Sequence, residues 1–286
     1  MIWLIGNKGM LGREVESLLQ NKGLTYIASD QEIDITNVDE LRIFSADKPI
    51  SWIINCAAYT AVDKAEDEPE LAFKINATGP RNIAEIAKNI GVKLIHISTD
   101  YVFDGTKTEA YIETDPPRPL GVYGQSKYQG EVNIAETLSE YFIIRTAWLY
   151  GKQGNNFVYT MLRLFKERDE VSVVGDQWGS PTYAPDLAAA ILKIIALNSN
   201  AYGIYNFTNE GKISRYDFAC EIYRLTQNSK LKTQNLRSIF SKDYPTKTQR
   251  PQNSYLSKDK ITKTFNISPR NWQVALNEFM LTINTK

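Results

Sequence analysis

Tyr123 and Lys127 stand a helical turn apart in the run Tyr-Gly-Gln-Ser-Lys. On a helix, that spacing puts both side chains on one face. A free phenol has a pKa of about 10 and moves protons poorly at neutral pH. An ammonium one turn away favours the phenolate and lowers that pKa. The pair can then give a proton to a carbonyl oxygen, or take one back, near neutrality. Tyr and Lys at this spacing also occur on ordinary solvated helices, so the pair gains meaning only from what lies upstream.

Residues 2–5, Ile-Trp-Leu-Ile, are apolar without alternation and suit a central parallel strand buried on both faces. They run into Gly6, Gly9 and Gly12, and residues 13–20 read as a helix. Strand, glycine turn and helix together make a dinucleotide site credible. Gly6 permits the turn, Gly9 lets backbone approach a pyrophosphate, and Gly12 lets the helix pack closely. The helix N-terminus then faces the phosphates. The spacing is GxxGxxG rather than GxGxxG, and a glycine turn without a ligand is the plain alternative. Asp30 follows the second strand, roughly 20 residues past the turn, where an acid commonly bonds the adenosine ribose. It also reads as an ordinary loop or cap aspartate. Asp34 and Ile35 lie in the next connection, which could cover an adenine. The third strand ends in Asn55-Cys-Ala57-Ala58-Tyr59-Thr60, small enough for a cofactor to lie against it. The fourth runs into Ser98-Thr99-Asp100, a polar cluster at the carboxyl end of an apolar strand, where open α/β sheets bind ligands.

The elements that must position these residues alternate. Strands are expected at residues 2–5, 24–28, 52–56, 93–98 and 142–149. Helices are expected at 37–47 with Asn37 as cap, at 71–89, and from Tyr123 to about 139. This is the pattern of a doubly wound parallel α/β sheet. After Tyr150 the texture changes. Helices are expected at 157–168, 185–197 and 214–225, with Ser214 as cap, and two more near the end, the last containing Trp272. Short strands fall at 171–174 and 204–207, and residues 227–254 form a polar segment. Residues 1–150 therefore read as a dinucleotide-binding domain, and 151–286 mainly as a substrate-binding lobe, with some segments returning to the first domain. Long loops with aromatic, Asn and Arg residues suit a lid over a polar substrate, or irregular packing.

The chain of 286 residues can bury a large core. Lys+Arg and Asp+Glu both number 33, and zero net charge argues against nucleic acid or an acidic membrane as the main partner. Cys56 and Cys220 lack CxxC spacing and read as reduced core thiols of a cytoplasmic protein. His96, the sole histidine, sits in an apolar strand and reads as structural; so few Cys and His argue against a zinc site. No run reaches transmembrane length, and no signal peptide is read.

Residues 6–12, 55–65, 98–103, 123–127 with Gly130-Glu131, 145–148, 154–157 and Arg250-Pro251 resemble, in order, motifs of the extended short-chain dehydrogenase/reductase family. The resemblance spans almost the whole chain. It implies a Rossmann-type doubly wound parallel sheet with a smaller C-terminal substrate-binding lobe. It also implies an oxidoreductase using NADPH or NADH. Within the family, the motifs are similar to those of reductases acting on the 4-keto group of dTDP-4-dehydro-6-deoxy-L-mannose, a dTDP-sugar. On this resemblance Tyr123 donates the proton, Lys127 bonds the nicotinamide ribose and lowers the Tyr123 pKa, and Thr99 polarises the carbonyl. Met10, Leu11, Gly6, Gly9, Gly12, Asp30, Asp34, Ile35, Ala57, Ala58, Tyr59 and Thr60 would join Tyr123 and Lys127 around the cofactor. Asp100, Trp148, Asn156 and Arg250 would meet the substrate with Thr99 and Tyr123. Asn76 matches an asparagine that supports the proton relay through a helix irregularity.

Related dehydratases carry a glutamate directly after Thr-Asp; here Tyr101 stands there, so elimination loses its base. A 4-epimerase shares the Tyr/Lys pair and stays open. So does a non-catalytic dinucleotide-binding role, like that of the regulatory subunit of methionine adenosyltransferase. Asp30 should repel a 2′-phosphate, whereas Lys8 and Arg13 could attract one, which leaves both cofactors in play. No metal ligands are assigned. The assembly the resemblance allows is a homodimer.

Overall fold

In the computed structural model, which describes residues 1–226 and 231–284, the uninterrupted apolar runs pair as parallel strands. Residues 227–230, the start of the expected polar segment, lie outside the described residues. The chain begins with β1 (Ile2–Ile5), α1 (Met10–Asn21), β2 (Tyr26–Ser29), α2 (Val38–Ser45) and β3 (Trp52–Asn55). Next come α3 (Val62–Ala65), α4 (Pro69–Phe73), α5 (Gly79–Ile90), β4 (Lys93–Thr99), α6 (Val122–Thr137) and β5 (Tyr141–Thr146). The second half opens with β6 (Leu149–Tyr150), α7 (Phe157–Glu167), β7 (Glu170–Val174), β8 (Trp178–Gly179), β9 (Thr182–Tyr183) and α8 (Ala184–Leu197). It closes with β10 (Gly203–Asn206), β11 (Ile213–Ser214), α9 (Arg215–Leu225), β12 (Asn235–Ile239), α10 (Asp259–Phe265) and α11 (Trp272–Asn284).

The central sheet runs β10-β5-β4-β3-β1-β2, parallel throughout. Its order reverses at β1, which lies between β2 and β3, so the glycine turn leaves the sheet at the switch point. Side chains alternate between faces. Leu4, Ile54, Ile95 and Ile144 pack with Val15 of α1, Leu187 and Ile191 of α8, and Phe265 of α10. Trp3, Ile53, Leu94 and Ile143 pack with Leu41 of α2, Ile83 of α5 and Ile134 of α6. Both faces are thus covered, and the second half supplies one strand and two of those helices. A separate core joins Phe165 of α7, Val171 of β7, Phe218 of α9 and Phe279 of α11. No helix among the described residues is long and apolar enough to cross a membrane.

Three expectations differ from the structure. The helix expected at 71–89 is interrupted by a π turn at Lys74–Thr78. Pro80 lacks the N–H that would close a helical bond to Asn76, so the chain widens there. Gly130 of α6 lies against the freed Asn76 carbonyl, and a Cβ on it would sit 2.2 Å from that oxygen. The strand expected to reach 149 ends at Thr146, because Trp148 has φ +47° and cannot continue it; β6 then pairs with β9. Finally, the polar segment contains β12, which pairs in parallel with β7. Its largely exposed side chains leave no apolar period to read, and backbone bonds carry the pairing.

Candidate active site

The carboxyl ends of β1, β3 and β4 open onto contiguous clefts. Gly6 has φ +80°, and a Cβ on Gly12 would lie 2.0 Å from the Gly6 carbonyl oxygen. Only glycines permit this turn. Gly9 caps α1 without a side-chain hydrogen bond, so the first amides of the helix are left for a ligand. A cleft of about 610 Å³ is lined by Gly6, Gly9, Asp30, Asp34, Ile35, Ala57 and Ala58. The Asp30 carboxylate accepts the Lys8 and Gln31 amides at 3.0 and 2.9 Å and keeps acceptor capacity. An uncapped helix start, small walls and a carboxylate at the far end fit a dinucleotide. Lys8 is paired with Glu32 at 2.9 Å, and Arg13 Nε donates to the Lys8 carbonyl.

A second cleft, of about 460 Å³, shares Gly9, Cys56 and Ala58 with the first. Met10, Leu11, Thr60, Thr99, Asp100, Tyr123, Lys127 and Trp148 complete its wall. A third, of about 440 Å³, shares Tyr101, Phe157 and Arg215 with the second and contains Arg250. Gly12, Tyr59 and Asn156 line none of the three. Gly12 serves the turn. Tyr59 donates its hydroxyl to Glu68 at 2.8 Å, and its amide to Asn76 Oδ1. Asn156 caps α7, accepting the Tyr159 amide at 3.1 Å and donating to the Gly151 carbonyl. Asn76 lies in the π turn, its side-chain amide donating to the Tyr59 carbonyl and to Ser126 Oγ, so it pins the β3 loop to α6.

Tyr123 and Lys127 share a face of α6, as the spacing requires, but the expected pKa effect is not what the structure gives. Burial holds the Tyr123 phenol above its ordinary value, and hydrogen bonding with Thr99 opposes the shift. The Lys127 ammonium points elsewhere: Nζ donates to the Ile97 carbonyl at 2.6 Å and lies 3.4 Å from His96 Nε2. Burial lowers the Lys127 pKa to about 8, with Glu131 and Cys56 opposing. His96 is held neutral by burial and by Lys127, and its Nδ1 faces the Asn55 amide at 3.0 Å. An ammonium has three donors; the Ile97 carbonyl takes one, and His96, whose Nδ1 accepts from Asn55 and whose Nε2 therefore carries the proton, takes none. Asp100 is buried, and burial raises its carboxyl to about 6 against the Ser254 and Thr99 hydroxyls and Arg215. Thr99 Oγ1 donates to Asp100 Oδ1 at 3.0 Å, while Oδ2 is buried without a hydrogen-bond partner. Burial pushes the Cys56 thiol to about 12, and both cysteines are free.

Sequence reasoning missed Arg215, Phe157 and the full role of Tyr101 as cleft walls. Arg215 carried a signal. It is a cation in the first turn of α9, directly after the Ser214 cap, where a helix dipole disfavours positive charge. Also missed was the buried ion pair between Glu131 and Arg145 at 2.6 Å, which receives the Ser98 hydroxyl at 2.5 Å and underlies the end of β4.

The family described as RmlD substrate binding domain matches residues 1–284. A dTDP-4-dehydrorhamnose reductase of Aggregatibacter actinomycetemcomitans is 44% identical, over 96% of each chain. The solved structure of a dTDP-4-dehydrorhamnose reductase from Clostridium acetobutylicum ATCC 824 is 41% identical, covers 99% of each chain and superposes with a TM-score of 0.94. That of Bacillus anthracis str. Ames, in complex with NADP, is 39% identical over 98% of each chain, with a TM-score of 0.92.

Proposed function

The chain belongs to the RmlD substrate binding domain family, and from that premise we propose that it is an NAD(P)H-dependent reductase of a dTDP-linked keto sugar. The reaction is reduction of the 4-keto group of dTDP-4-dehydro-6-deoxy-L-mannose (dTDP-4-dehydro-L-rhamnose) to give dTDP-L-rhamnose. The observation that carries the reading is the convergence of Thr99, Tyr123 and Lys127 on one cleft continuous with the glycine-turn cleft.

The glycine turn and the uncapped start of α1 would hold the dinucleotide phosphates, and Asp30 the adenosine ribose. NADPH or NADH, when bound, supplies the hydride. Thr99 Oγ1 is a rotor; its proton turns from Asp100 to the substrate carbonyl oxygen and polarises it. Tyr123, whose phenol burial keeps protonated, delivers its proton to that oxygen as negative charge develops. Lys127, fixed by its hydrogen bond to the Ile97 carbonyl, would direct a free N–H to the nicotinamide ribose. Asp100, Trp148 and Arg250 contact the nucleotide sugar. The reading includes a cytoplasmic location; sedimentation distinguishes a monomer from a homodimer.

The test is NADH and NADPH oxidation by the purified protein with the dTDP-keto sugar, beside Tyr123→Phe. Net oxidation that disappears in the variant is expected, and the two rates set cofactor preference. Dinucleotide binding without oxidation would sink the assignment in favour of epimerisation or a binding role.

A further inference from the structure

Arg215 is half-buried at the neck between the cleft of Thr99 and Tyr123 and the neighbouring cleft of Arg250, and it lines both. Its guanidinium lies 3.7 Å from the Trp148 ring centroid and 5.3 Å from that of Phe157. Among the described residues it makes no side-chain hydrogen bond or ion pair. Stacking fixes the plane of the fork but uses none of its five N–H donors. A cation placed against a helix dipole, attracted by Asp100 but in ion-pair contact with no carboxylate among the described residues, keeps its N–H donors for a partner. Arg250 is in the same condition on one side. Its Nη2 donates to Asp63 at 2.9 Å, whereas Nη1 is buried with no hydrogen-bond partner. The two cations also repel, since Arg250 contributes to lowering the Arg215 pKa. The unspent Arg215 fork and the partly used Arg250 fork lining one cleft match a group with two adjacent negative charges and many acceptor oxygens. A sugar hydroxyl would take one or two donors and leave the Arg215 charge standing.

We propose that Arg215 is a specificity-determining residue that, with Arg250, clamps the diphosphate of the nucleotide sugar at this neck. The sugar then lies toward Tyr123, and the nucleoside lies in the neighbouring cleft against Met161 and Val173. The inference rests on the dTDP-sugar reading above.

Calorimetric titration of the full chain with dTDP and with thymidine tests it, in the wild type, Arg215→Met and Arg215→Lys. Methionine keeps an apolar stem on Trp148 and Phe157. Loss of charge-assisted hydrogen bonds should weaken dTDP binding by about tenfold to a hundredfold. Thymidine binding should be unchanged, and KM for the sugar nucleotide should rise more than kcat falls. Lysine should restore part of the loss, since it returns the charge without the fork. Unchanged dTDP binding in Arg215→Met would overturn the proposal. So would an equal loss for dTDP and thymidine, the signature of a residue that only props Trp148. A wild type that binds dinucleotide but no dTDP would refute the dTDP-sugar reading itself, and this proposal with it.

Discussion

Replacing Asp100 by asparagine should stabilise the protein at neutral pH while damaging its activity. The carboxyl is buried at the end of β4, one oxygen held by Thr99 and the other without a hydrogen-bond partner. Burial moves its pKa from 3.8 to about 6. A shift of about two units, at roughly 1.4 kcal/mol each, sets about 3 kcal/mol against the ionised form. Because the folded pKa is the higher one, the folded chain holds more proton than the unfolded chain between those two values. Stability therefore falls as pH rises through that window. The full cost is present above about pH 6 and vanishes below about pH 4, where both states are protonated. Asparagine keeps the acceptor for Thr99 and removes the charge. It also removes the attraction to Arg215, which offsets part of the gain. The expected net is about 1–2 kcal/mol of added stability at neutral pH. Urea denaturation of both proteins, at steps from acid to neutral pH, reads the difference directly. The difference should open between pH 4 and 6 and stay constant above. A variant no more stable at neutral pH, or a difference that ignores pH, would refute the reasoning.

Two further outcomes follow from buried charge beside the same cleft. Glu131→Gln or Arg145→Met, each breaking a pair whose side chains are about 2% exposed or less, should cost about 3–5 kcal/mol in urea denaturation. The double variant should recover much of that, because no lone charge remains. The Lys127 ammonium, lowered to about 8, is lost as pH rises through that value. NADPH affinity, followed by cofactor fluorescence, should weaken over that interval, and Lys127→Arg should move the fall to higher pH; a flat wild-type profile would contradict it.

The parallel sheet was legible because buried parallel strands write themselves as apolar runs, as at residues 2–5 and 52–55. The π turn was expected only as a helix irregularity at Asn76 implied by the resemblance, although Pro80 stood inside the expected helix as its local cause. β12 was beyond reading, because an exposed strand held by backbone bonds carries no hydrophobic period. Trp148 was named, but its left-handed φ of +47° was not, since its local sequence includes no glycine or turn signal. Arg215 was passed over as one of many arginines; the misplaced charge at a helix start was the only clue.

By itself the sequence determined what is local: the order of strands and helices, the glycines Gly6 and Gly12 that permit one turn, and the shared face of Tyr123 and Lys127. These follow from backbone sterics and helical period, which act over a few residues. Only the tertiary structure decided what depends on neighbours distant in the chain. It set Thr99, Trp148 and Arg215 around one cleft and turned Lys127 toward His96 and Ile97. It also raised rather than lowered the Tyr123 pKa. Desolvation depends on everything packed around a group, and a spacing of four residues does not contain that information.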